Sequence, residues 1–132
     1  MQKIETWLIY LIALHSVVVG VFLIMLPPWA VHFGGFGEVS PPFFARQAGA
    51  FHLVVAAGYL IEYLRYRGVI ILVSAKATAT VFLLACTLLG APWVVPFSGL
   101  ADFMMGATVL VVHLKAAADR RQSGLRRKTC CD

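Results

Sequence analysis

Read from its amino end, the chain breaks into four apolar runs, 7–26, 42–64, 69–90 and 97–114, separated by short stretches that carry Pro, Gly or charge. Each run is roughly 18 to 23 residues long, and at ~1.5 Å per helical residue each can cross a hydrocarbon core of about 30 Å. The pattern predicts an all-α, four-helix transmembrane bundle. A secretory signal is the rival reading of the first run, because Lys3 precedes it. The run exceeds the roughly 7 to 15 apolar residues of a signal core, and no small-x-small cleavage site follows Pro27-Pro28, so it reads as a span.

The turn Arg65-Tyr66-Arg67-Gly68 is short enough to make the second and third spans antiparallel neighbours, and the 90–96 connection does the same for the third and fourth. The expected topology is therefore up-and-down. Lys3, Arg65, Arg67 and a basic tail fall on one side, whereas the 27–41 and 91–96 loops hold no Lys or Arg and the first of them holds Glu38. The positive-inside rule then places both termini in the cytoplasm. Aromatic residues gather at both ends of the spans: Trp29, Phe33, Phe36, Phe43, Phe44, Trp93 and Phe97 outside, and Trp7, Tyr10, Tyr63 and Tyr66 inside. The glycines of the 27–41 loop lack both the GxGxxG spacing and the lysine of a phosphate cradle, so this loop reads as a turn or a lipid-facing lid.

Composition sharpens this picture: 61% of the residues are hydrophobic, 13% are charged, and the mean hydropathy is +0.85. An ordinary soluble domain has about a quarter of its residues charged, so disorder, nucleic-acid modules and most soluble enzymes are excluded. The net charge of +5 does not argue for a nucleic-acid partner, because six of the eleven basic residues lie after residue 114. Residues 1–114 read as the membrane domain and 115–132 as a basic cytoplasmic tail. In that tail Arg120, Arg121, Arg126, Arg127 and Lys128 are candidates for anionic lipid headgroups, at about 1 kcal/mol each. Cys86, Cys130 and Cys131 make neither a disulfide framework nor a zinc set, and the adjacent pair reads as free thiols.

Ionised side chains cost about 2.5 to 3.5 kcal/mol at the centre of a span, so those that occur carry information. Counting depth along each helix puts Arg46 and Asp102 at one outer level, about 6 and 8 Å from the ends of their spans, with Gln47 beside Arg46. An Arg46–Asp102 pair is expected there. Nearer the cytoplasm, Glu62 is expected to receive the snorkelling stem of Lys76. Such pairs act either as clips that fix helix register or as parts of a conduction or substrate path. Residues at alternating steps of four and three mark helix seams: Ala45, Gly49, His52, Ala56, Tyr59 and Tyr63; Lys76, Thr80, Leu83, Thr87 and Gly90; Gly99, Asp102, Gly106, Val109 and His113. His15 and His52 lie deep in the first two spans, about 12 and 18 Å from the cytoplasmic edge, too unequal for two ligands of one haem. They read as interface histidines or as a proton or ligand site, with no metal or cofactor expected.

Phe44-Ala45-Arg46-Gln47-Ala48-Gly49 at the entry to span two and Gly99-Leu100-Ala101-Asp102 at the entry to span four, within a four-span layout, resemble the small bacterial inner-membrane proteins of the DoxX-like type. That resemblance implies a multi-pass bacterial inner-membrane protein, a four-helix bundle and association with redox partners, with no catalytic residue. Small multidrug transporters share the length and span count, but their essential glutamate lies in a first span where this run has His15 and no acid. The expectation is a non-enzymatic membrane subunit or small-ligand-binding module, embedded in lipid and associated with itself or a membrane protein partner. The alternative is a proton- or ion-coupled transporter working as an oligomer through His52, Lys76 and Asp102. A redox or quinone-linked membrane enzyme stands third.

Overall fold

A computed structural model describes residues 2–129, the side chains of Arg121 and 123–129 excepted. Arg121, Arg126, Arg127 and Lys128, read above as headgroup contacts, have side chains outside the described residues, and Cys130 and Cys131 lie outside them entirely. Five helices follow in order: α1 (Gln2–Met25), α2 (Pro28–Phe33), α3 (Phe43–Tyr66), α4 (Ile70–Leu88) and α5 (Val94–Thr129). No strand occurs among the described residues. Four of the helices are long and apolar enough to cross a membrane, and only 17 to 28% of each span is buried inside the bundle. The remaining surface carries large apolar side chains such as Leu14, Val54, Phe82 and Leu110, all exposed. A contiguous apolar exterior of this kind is the surface of a membrane protein.

Helix ends follow local chemistry. Pro28 opens α2, where its missing N–H costs nothing. Arg67 closes α3 in the left-handed region, at φ 53°, with its N–H on Tyr63 O. After α4, Gly90 takes φ 82° and two bonds close the end: Gly90 N–H to Thr87 O, and Ala91 N–H to Cys86 O. This is the Schellman arrangement, in which glycine avoids a Cβ clash. The 27–41 stretch contains the short helix α2 where a turn or lid was expected. Trp93 ties it to the start of α5, stacking edge-on against Phe33 and donating from Nε1 to Phe33 O.

The bundle is made of two close pairs, α1 with α3 and α4 with α5, joined by lighter contacts of α1 with α5 and of α3 with α4. Three expected seams are buried in part: Gly49, Ala56, Tyr59 and Tyr63 on α3; Lys76 and Thr80 on α4; Gly99, Asp102, Gly106 and Val109 on α5; Ala45, His52, Leu83, Thr87 and His113 are half-buried and Gly90 is exposed. A fourth, which the sequence analysis did not mark, is Glu5, Ile9, Ile12, Ser16 and Gly20 on α1. Its steps of four, three, four and four follow the same helix geometry and were legible. At the α1–α3 crossing, backbone meets backbone: a Cβ built on Gly49 would stand 2.5 Å from Gly20 O, and one on Gly20 would stand 2.8 Å from Gly49 O. At the other end of the same pair, Arg67 donates to the Tyr63 hydroxyl, Tyr63 hydrogen-bonds Thr6 Oγ1, and Thr6 donates to Gln2 O. α5 runs unbroken through residue 114, and Ala116 beyond that point is fully buried.

Candidate functional site

Two polar clusters lie inside an otherwise apolar bundle. The deeper one joins α4 to α5: Lys76 Nζ donates to Asp102 Oδ1 at 2.5 Å, with the two side chains only 4% and 12% exposed. Both come from seam positions, which is why they face protein. Gly106 lets them approach, because a Cβ there would stand 3.1 Å from Lys76 Cβ. One turn on, Thr80 donates to Lys76 O and satisfies its own hydroxyl within the helix. His15 is exposed on the outside of α1, and His52 is half-buried. Ser16 is 1% exposed and its Oγ has no hydrogen-bond partner among the described residues. By chain position along the four apolar runs, Ser16 lies about 14 Å and His52 and Asp102 about 18 Å from the ends nearest Arg67, a spread of less than one helical turn.

The pairing corrects two expectations. Asp102 is held by Lys76 and not by Arg46, which is exposed near the start of α3 and makes no hydrogen bond or ion pair among the described residues. Gln47 is likewise exposed. At about 6 Å from the helix end, the guanidinium of Arg46 can reach the interface without a protein partner. Glu62 does not hold Lys76. Its two carboxylate oxygens accept the backbone N–H groups of Ile70 and Ile71, at 2.9 and 2.8 Å. α4 begins after Val69, which as N-cap offers no capping side chain, so its first amides need an outside acceptor and its positive end favours a carboxylate. Lys76 thus reaches away from Glu62, toward the middle of the span.

The Glu62 cap depends on Gly68. A Cβ at that position would lie 2.7 Å from Glu62 Oε1 and 3.2 Å from its Cδ. Gly68→Ala is expected to displace the carboxylate and lower stability by about 0.5 to 2 kcal/mol, the range for losing a helix cap. Faster amide exchange at Ile70 and Ile71, with α3 unchanged, is the measurement that checks it.

The second cluster closes the end of the bundle that carries Arg67. Glu5, 2% exposed in the first turn of α1, accepts from His113 Nδ1 at 2.6 Å and from Arg120 Nη1 at 3.1 Å. Arg120, expected to face headgroups, is in this way drawn to a buried carboxylate. Glu5 was not singled out from the sequence because it precedes the first apolar run. Its place four residues before Ile9, on the seam that continues to Ser16 and Gly20, is the signal that would have found it. The first cluster joins consecutive helices and the second the first helix to the last, and each sets opposite charges in hydrogen-bond contact.

Comparison with protein-family models, with curated proteins and with solved structures finds no match to this chain. What the clusters can do is therefore a matter of their own geometry.

Proposed function

We propose that this chain is a multi-pass, non-enzymatic membrane subunit or small-ligand-binding module, an up-and-down four-span bundle with both termini in the cytoplasm of a bacterial inner membrane. The DoxX-like resemblance belongs to this reading. The observation that carries it is the closure of the Lys76–Asp102 pair: both charges are buried in the α4–α5 seam and engaged with each other. A charge pair closed within one helix hairpin fixes register and leaves the outside of the bundle as the working surface. The basic residues Lys3, Arg65 and Arg67 support the orientation. Thr6 meeting Tyr63 while Gly20 meets Gly49, and Gly99 meeting Leu83 while Gly106 meets Lys76, support the antiparallel order of both hairpins.

A transporter is the second reading, favoured by the Ser16 hydroxyl, without a hydrogen-bond partner among the described residues and within about one helical turn of the depth of His52 and Asp102. Proton flux in reconstituted vesicles separates the two. The module reading requires flux no greater than that of empty vesicles under a pH gradient, with or without candidate substrates. Flux that Asp102→Asn abolishes would establish the transporter in its place.

A further inference from the structure

We infer that the groove between α3 and α4 is a binding site for a single anionic phospholipid, with one acyl chain laid in the groove and the headgroup beside Arg65. This deepens the ligand-binding half of the reading above and rests on it.

The groove exists because α3 and α4, although joined by a tight turn, pack lightly against each other. It is a shallow groove of about 870 Å³ open to the outside of the bundle, lined by Phe51 from α3 and by Ile70, Ile71, Ser74, Thr78 and Phe82 among others from α4. Gly58 stands opposite Ile71 in the α3 wall, where an added Cβ would meet Ile71 Cγ2 only at 3.6 Å. A larger side chain there would narrow the cleft. The lining is almost wholly apolar and lies within the spans, so its occupant is hydrocarbon and not water.

Length and charge narrow the occupant further. From Ile70 to Phe82 the α4 wall measures about 18 Å, close to the ~15 Å depth of one leaflet's hydrocarbon. An acyl chain entering at the Ile70 end therefore finishes where Phe51 and Phe82 stand. Arg65 marks the entrance: it shares a face of α3 with Gly58 and Phe51 at heptad spacing, is exposed, and makes no hydrogen bond or ion pair among the described residues. Arg67, also at this end, is turned to Tyr63. Glu62 is nearby, but its carboxylate is engaged by the first amides of α4. The entrance is thus left with net positive charge, which suits a phosphodiester carrying no compensating amine. A zwitterionic lipid would fill the groove equally well and gain less at its mouth.

The test uses the full chain in nanodiscs containing equal parts phosphatidylglycerol and phosphatidylcholine with identical acyl chains, followed by native mass spectrometry of bound lipid. The expected result is one retained lipid, with phosphatidylglycerol favoured about 5-fold, the factor for one basic residue at a membrane surface. Arg65→Gln should bring the two lipids to parity while leaving one lipid bound. Thr78→Trp, which fills the groove from a position whose side chain makes no hydrogen bond among the described residues, should abolish retention of both. Ser74→Leu should do the same if the tryptophan variant fails to fold. Retention indifferent to headgroup in the unaltered protein, or unaffected by filling the groove, overturns the inference. So does a dimer that Thr78→Trp dissociates, since the occupant would then be a second copy. None of these outcomes changes the vesicle flux, so the broader reading stands or falls separately.

Discussion

Asp102→Ala should cost about 3 to 5 kcal/mol of stability, the range for removing one partner of a buried ion pair. The deletion leaves the Lys76 ammonium 4% exposed and without its acceptor, in a span where neither water nor lipid replaces it. Lys76→Ala should do comparable damage by stranding the carboxylate. The double variant Lys76→Met with Asp102→Leu is the informative one. It removes both charges, approximates their volume, and should recover most of the lost stability, because buried pairs contribute little net stability against well-packed apolar replacements. Thermal unfolding in detergent measures all three. A double variant as unstable as the sum of the singles would show that the pair does more than fix the hairpin. Arg46→Gln, by contrast, should change stability by less than about 0.5 kcal/mol, as befits a surface residue with no protein partner.

The second large effect is expected at Gly49. A Cβ there would lie 2.5 Å from Gly20 O and 2.9 Å from Ile24 N, and neither backbone atom can turn aside as a side chain can. Gly49→Ala should therefore separate α1 from α3 at the crossing and cost about 1 to 3 kcal/mol, the range for overpacking a filled core. Gly49→Val should cost more. Gly37→Ala is the control, since a Cβ at Gly37 meets nothing within 4 Å. Unfolding temperatures of the two alanine variants check the contrast. A loss at Gly37 equal to that at Gly49 would assign the effect to backbone freedom and not to close approach.

The two clusters also differ in what they join. Lys76–Asp102 lies within the α4–α5 hairpin, whereas Glu5 with His113 and Arg120 ties the first helix to the last. α1 and α5 share only a light contact, so these ionic bonds supply much of the specificity between the two tight pairs. Hydrogen bonds to charged groups are individually worth about 1.5 to 3 kcal/mol, which makes them well suited to that task.

Much of this was legible along the chain. The number of spans follows from run length against bilayer thickness, and the seams of α3, α4 and α5 from steps of four and three, because both depend on helix geometry that any apolar segment shares. The level of each polar residue could be counted in the same way. Its direction around the bundle and the reach of its side chain could not. Arg46 and Asp102 share a depth but lie on unrelated faces, and Lys76 extends toward Asp102 because Glu62 is already engaged by amides that α4 leaves open. Sequence thus determined that this is a membrane-spanning helical chain with charges at depth. Only the packed tertiary structure decided which charges meet, because partnership in a bundle depends on azimuth, on side-chain length and on competition from backbone donors.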